Sequence, residues 1–254
     1  MTIVRVPGAE LYVERAGSGP PLLFVNGSGS ALADGLGPAA MPLRHGFDVI
    51  GWDHRGLGGS TSDQAAPPSM ADYAADGLAL ADALGIKEFR LFGISFGGMV
   101  AMEMAVTAPE RIVRLVLACT SAGGAGGSSY PLHERPGPSV MAGIVDTRPE
   151  LSEAILSLMT GRSEPAEPGY GKQLEARRTH DVWDRLDRIS CPTFVASGRY
   201  DGIAPPANSV ALASRIRGAE HRSYEGGHAF LFQDPQAWID VQDFLRGAGR
   251  ADRT

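Results

Sequence analysis

A serine hydroxyl attacks carbonyl carbon only when it is exposed, paired with a base and faced by donors for the negative charge it creates. Gly93-Ile94-Ser95-Phe96-Gly97 is built for the first of these needs. It is a G-x-S-x-G pentapeptide between Phe89-Arg90-Leu91-Phe92, which reads as a buried strand, and Gly98-Met99-Val100-Ala101-Met102-Glu103-Met104-Ala105, which reads as an apolar helix ending near Pro109. A sharp strand-to-helix turn lifts the serine out, and glycines on both sides remove side chains that would clash in it.

The base and its orienting acid must come from elsewhere in the chain. Of six histidines, His228 follows a strand through Glu225-Gly226-Gly227, a turn able to swing the ring over the C-terminal edge of a sheet, where such sheets place ligands. His45, His133 and His221 read as exposed or strand-face residues, His54 as structural, and His180 as a surface or packing residue, with substrate contact the alternative. None has metal-ligand spacing. For the acid, the strand Thr193 to Ser197 runs into Gly198-Arg199-Tyr200-Asp201-Gly202, which puts Asp201 just beyond a strand end. The preceding strand ends in Cys119-Thr120-Ser121 and offers no carboxylate. The order Ser95, Asp201, His228 is the one this architecture uses.

Two oxyanion donors are expected. The amide of Phe96, directly after the nucleophile at a helix N-terminus, is one. The other should come from Asn26-Gly27-Ser28-Gly29, after the strand Leu22-Leu23-Phe24-Val25, with Ser28 the expected donor and Gly27 the alternative.

The elements that must position these residues read as an α/β chain with a mostly parallel, eight-stranded sheet flanked by helices. Ile3 to Val6 and Glu10 to Arg15 form an opening antiparallel pair turned at Pro7-Gly8. Asp48 to Trp52, Ile112 to Ala118 and His221 to Tyr224 complete the strands. Met70 to Leu84 carries a helical stripe that stops at Gly85, and Phe230 to Phe244 reads as one closing helix before a polar tail. Residues 121–190 show no convincing strand and begin with a glycine-rich run. A connection of that length is expected to be a helical cap or lid inserted into a core of residues 1–120 and 191–254.

With 254 residues, 43% hydrophobic and 20% charged, the chain suits one soluble domain. A net charge of −6 and the lack of a basic stripe argue against nucleic acid. No apolar stretch is long enough to span a bilayer and the N-terminus lacks signal architecture, so a cytoplasmic protein is expected. Cys119 and Cys191 read as small buried hydrophobes rather than a disulfide.

Taken together, Asn26-Gly27-Ser28-Gly29, Asp53-His54-Arg55-Gly56-Leu57-Gly58-Gly59-Ser60, Gly93-Ile94-Ser95-Phe96-Gly97-Gly98 and the Asp201/Gly226-Gly227-His228 pair make the chain resemble the α/β-hydrolase superfamily nearly end to end. The Asp53–Ser60 loop is similar to that of its small, lidded, cofactor-independent members, which include enol-lactone hydrolases, carboxylesterases, C–C bond hydrolases and non-haem haloperoxidase-like hydrolases; there it is mostly scaffolding. Asn26 departs from the histidine usual at the start of the oxyanion loop. The resemblance implies a serine hydrolase for an ester, thioester or lactone of a small molecule, acting without metal or organic cofactor through Ser95, His228 and Asp201, with Phe96 and Ser28 holding the oxyanion. C–C bond cleavage by the same residues, or a ligand-binding receptor with little turnover, are the alternatives. The cap mixes apolar Leu151, Ile155, Leu158 and Met159 with Arg135, Arg162, Arg177 and Arg178, and its arginines are expected to be solvated. Trp183 is expected to pack rather than to recognise substrate.

Overall fold

Eight strands form one sheet in the order β1-β2-β4-β3-β5-β6-β7-β8. The computed structural model describes residues 2–247 except 36, 64, 132–137, 152 and 154–168. The strands are β1 (Thr2–Val6), β2 (Ala9–Gly17), β3 (Pro21–Val25), β4 (Asp48–Trp52), β5 (Phe89–Ile94), β6 (Ile112–Ala118), β7 (Thr193–Gly198) and β8 (Glu220–Tyr224). β1 pairs antiparallel with β2 and β2 antiparallel with β4; every other pairing is parallel. The α/β class and the eight strands expected from the sequence are therefore those observed.

The reason lies in burial. β4 and β7 are buried along their whole length, and Leu22 to Val25 of β3 likewise, so their sequences are largely apolar, with Asp48, Thr193 and Ser197 as buried polar exceptions. β2, nearer the edge, alternates buried and half-buried positions. One apolar cluster joins β-sheet residues such as Leu23, Leu91 and Leu117 to helices α1 (Met70–Ala83) and α2 (Phe96–Thr107). The opposite face, with Phe24, Phe92 and Val116, packs against Val241 and Leu245 of the C-terminal helix.

Helix α1 starts at a capping box in which Ser69 Oγ accepts from the Asp72 amide and the Asp72 carboxylate accepts from the Ser69 amide at 2.7 Å. It stops before Gly85, whose φ is +70°. Within 121–190 the described residues form α3 (Pro138–Val145), α4 (Gly169–Arg178) and short 3₁₀ turns, with no strand among them. His133, Arg135, Ile155, Leu158, Met159 and Arg162 lie outside the described residues. After β7 comes α5 (Pro206–Arg215).

The closing helix is corrected to two: α6 (Phe230–Gln233) and α7 (Pro235–Arg246). Pro235 has no amide hydrogen to continue the first helix and suits the first turn of the second. Asp234 serves both sides of the break, its Oδ1 accepting from the Gln236 amide and its Oδ2 from the Glu225 amide, each at 3.0 Å. Cys119 and Cys191 are buried free thiols, as expected. Among the described residues no helix is long and apolar enough to cross a membrane.

Candidate active site

Ser95 joins β5 to α2 with φ 56° and ψ −118°, a conformation that costs a non-glycine residue about 1–3 kcal/mol. Its amide donates to the Ala118 carbonyl at 2.9 Å, and its own carbonyl accepts from Thr120 Oγ1 at 2.8 Å. The flanking glycines are steric requirements. A Cβ on Gly93 would stand 2.3 Å from the Gly97 carbonyl oxygen, and one on Gly97 would stand 2.0 Å from that of Val25. Phe96 is the first residue of α2, so its amide has no acceptor within the helix and lies at the positive end of the helix dipole.

The three residues expected to act together are brought together. His228 Nε2 lies 3.0 Å from Ser95 Oγ, and His228 Nδ1 lies 2.8 Å from Asp201 Oδ2. A carboxylate can only accept, so Nδ1 carries the hydrogen and Nε2 turns its lone pair to the serine hydroxyl. Asp201 is fully buried at its side chain, and its second oxygen accepts from the amides of Ile203 and Ala204, each at 2.8 Å. Both oxygens are thus committed, which fixes the carboxylate. Cys119 Sγ also lies within 4.8 Å of the Asp201 and His228 ligand atoms. Burial raises that thiol well above its ordinary pKa, helped by the Asp201 charge, and keeps it protonated. With His228 and Asp201 already bonded to each other, this is a poor donor set for a metal.

The loops bearing Asp201 and His228 are tied to the end of α3. The Ile144 carbonyl accepts from the Gly202 amide at 2.9 Å, and the Val145 carbonyl accepts from the His228 amide at 2.6 Å. These are last-turn carbonyls with no partner inside their own helix. Next to them Asp146, with a fully buried side chain, accepts from Arg148 Nη2 at 2.6 Å and from Gln233 Nε2 at 3.1 Å, while Gln233 Oε1 accepts from the Gly227 amide at 2.9 Å. Burial pushes the Asp146 carboxyl up, but the hydrogen bonds from Arg148 and Gln233 outweigh it and hold the pKa below the ordinary range. Nothing in the sequence marks this connection, because helix-end carbonyls carry no residue signature.

On the opposite side, the loop after β3 lies against the elbow: a Cβ on Gly27 would be 3.6 Å from Ser95 Cβ. The Gly29 amide donates to Gln173 Oε1 of α4 at 2.7 Å, which leaves Ser28 and Gly27 as the loop's candidates for the second oxyanion donor. The Asp53–Ser60 loop supports this one from behind. Asp53 accepts from the amides of Leu32 and Gly59 at 2.7 and 2.8 Å, and His54 Nε2 donates to the Asn26 carbonyl at 3.1 Å. Arg55 forms a buried bidentate pair with Asp76. His54 is edge-on to Tyr73 and Phe96, and burial lowers its pKa to about 4, so it is neutral. Its reading as a structural residue fits.

A cavity of about 320 Å³ lies between α2 and α4, lined by Met99, Ser121, Tyr130, Leu174, Arg177, Arg178 and His180 among others. The two adjacent cap arginines differ. Arg178 is exposed and paired with Glu175 at 2.6 Å, whereas Arg177 turns inward. His180 is buried, which fits its packing reading and not the surface one, and Trp183 packs against the core with Arg215 over its ring.

A family model described as the alpha/beta hydrolase fold matches residues 20–235. The chain is 27% identical to a pyrrolizixenacetamide deacetylase from Xenorhabdus hominickii, covering 94% of this chain and 95% of the relative. It is 29% identical to 3-oxoadipate enol-lactonase 2 from Acinetobacter baylyi, covering 86% and 85%. Among solved structures, a hydrolase from Pseudomonas aeruginosa PA01 aligns with a TM-score of 0.78 at 28% identity, covering 97% of this chain and 98% of the other.

Proposed function

This chain belongs to the α/β-hydrolase fold family, and we propose that within it the chain is a serine hydrolase that opens an ester, thioester or lactone through an acyl-enzyme on Ser95. The observation that carries the reading is the unbroken chain Ser95 Oγ to His228 Nε2 to Asp201, at 3.0 and 2.8 Å, with the serine on a strained elbow. His228 takes the hydroxyl proton as Ser95 attacks, and Asp201 stabilises the imidazolium without itself being protonated. The amides of Phe96 and Ser28 receive the oxyanion. His228 then protonates the leaving group and activates the water that releases the acid.

Deacylation of an amide is a second reading, favoured by the likeness to a deacetylase over nearly the whole chain. It uses the same residues and differs only in the leaving group. The elements between 121 and 190 act in either case as a cap that shapes the pocket over Ser95.

Steady-state hydrolysis of 4-nitrophenyl acetate tests the proposal. Ser95→Ala is expected to lose about 10⁴-fold or more in kcat, and His228→Ala a comparable amount, because residues acting as a unit fail together. A Ser95→Ala protein that keeps a tenth of the wild-type rate overturns it.

A further inference from the structure

The serine, histidine and aspartate leave one feature of this site unused: a half-buried cation, Arg177, with no carboxylate in ion-pair contact among the described residues. Arg177 of α4 lines the same cavity as Met99, which lies one helical turn past Ser95, and is close enough to Asp201 for that charge to act on it. Its Nη2 donates to the Tyr130 carbonyl at 2.7 Å, while its Nη1 is buried and has no partner. Other arginines nearby meet carboxylates: Arg178 meets Glu175, Arg185 meets Glu103 and Arg148 meets Asp146. Among the described residues none plays that part for Arg177. Burial pulls its guanidinium down to about 10, with Tyr170 and Asp201 acting in the opposite sense, so it remains protonated at neutral pH.

A charge held out of water without a partner is costly, and an incoming anion that pairs with it removes that cost. The cavity offers a second polar group. His180 has a side chain only 1% exposed, and neither of its ring nitrogens completes a hydrogen bond, although the Ser121 backbone lies near enough to act on it. Glu103, the nearest carboxylate, is 3.9 Å away and engaged by both terminal nitrogens of Arg185. His180 is therefore a neutral imidazole with a hydrogen to donate, lining the same cavity as Arg177.

We propose that Arg177 and His180 form an anion subsite for a free carboxylate on the substrate, so that Ser95 acts preferentially on esters or lactones of molecules bearing a second, ionised carboxyl group. Arg177 supplies the charge in a planar two-donor form suited to a carboxylate, and His180 adds a neutral donor. Met99 and Leu174 line the apolar wall that the substrate chain crosses. The proposal rests on the hydrolase reading above and narrows its substrate class.

The test compares matched substrates with and without the charge. One series places it on the acyl side: mono-4-nitrophenyl esters of dicarboxylic acids from adipic to suberic, each against its methyl-capped diester. The other places it on the leaving side: 4-carboxyphenyl acetate against its methyl ester. Wild type is expected to favour the carboxylate form in at least one series by about 10-fold or more in kcat/KM. Arg177→Gln is expected to cut that ratio by about 30-fold, leaving the neutral substrates within a factor of about two, and Arg177→Lys to retain part of the preference. A wild-type ratio at or below one in both series overturns the subsite, and this arm decides even if Arg177→Gln fails to fold. Equal losses on charged and neutral substrates in a folded Arg177→Gln also overturn it. If wild type cleaves no member of either series and resists a small fluorophosphonate, the hydrolase reading itself has failed and takes the subsite with it. Cleavage of neutral esters without a carboxylate preference removes the subsite alone.

Discussion

The backbone carbonyl of Val145 accepts the amide proton of His228 at 2.6 Å, so the end of α3 holds the residue that must take the proton from Ser95. One residue earlier, Ile144 holds the Asp201 loop through the Gly202 amide. A single helix end thereby fixes the separation between acid and base loops. The buried Asp146 anchors that helix end to Arg148 and, through Gln233, to the loop before His228.

Asp146→Ala is therefore expected to do two things. It removes a buried acceptor of Arg148 and Gln233, and since Arg148 stays half-exposed and paired with Glu225 the fold loses about 1–3 kcal/mol. Looser placement of His228 lowers kcat on a small neutral ester by about 10-fold with KM nearly unchanged. Urea titration and steady-state kinetics read the two effects. An unchanged kcat in the folded variant contradicts the positioning role.

Gly97 and Gly85 make a matched pair. A Cβ on Gly97 collides with two backbone carbonyls, at 2.0 and 2.5 Å, while one on Gly85 meets nothing within 4 Å although φ is +70°. Gly85→Ala is expected to cost about 1–2 kcal/mol for the left-handed backbone alone. Gly97→Ala is expected to lower the melting temperature by at least about 10 °C or to prevent folding. Thermal melts of the two variants check the order, and equal melting temperatures contradict it.

Gln173 reaches the oxyanion loop from α4 through the Gly29 amide at 2.7 Å. Gln173→Ala frees that loop from its tether, and an oxyanion donor held less firmly contributes less to the transition state. The expected result is a kcat lowered by about 10-fold on esters with little change in KM. A loss confined to KM would place Gln173 in substrate binding instead.

Acid should destabilise the fold through His54 and His180, both lowered by burial from 6.5 to about 4. The unfolded chain binds more protons than the folded one between these values. The neutral-imidazole contribution is complete above pH 6.5, fades as pH falls, and is lost once pH passes below about 4. Each site is worth on the order of 3 kcal/mol across that window. Unfolding free energies at pH 7.5 and pH 5 should fall steeply for wild type and less steeply for His54→Gln. Equal slopes contradict the assignment to His54.

Much of this was legible because it is local. Strands buried along their length must be largely apolar, and Ser95, Asp201 and His228 each follow a strand end within a few residues, so motif and element identify one another. The break at Asp234-Pro235 also carried a signal, overridden by an apolar periodicity that continues across it. What stayed hidden depends on tertiary placement. Gly29 and Gln173 meet from 144 positions apart, and Val145 acts through a backbone carbonyl that any residue possesses. Arg177 and Arg178 are alike in sequence and both border the cavity, yet one helical step leaves Arg178 exposed against Glu175 and turns Arg177 inward to the Tyr130 carbonyl.

The central claim is that His228 and Asp201 activate Ser95, and intact-mass measurement after exposure to a small fluorophosphonate tests it most directly. The account predicts one adduct on wild type, none on Ser95→Ala, and a strongly slowed reaction on His228→Ala. No adduct on folded wild type, or an adduct that persists in Ser95→Ala, would contradict it.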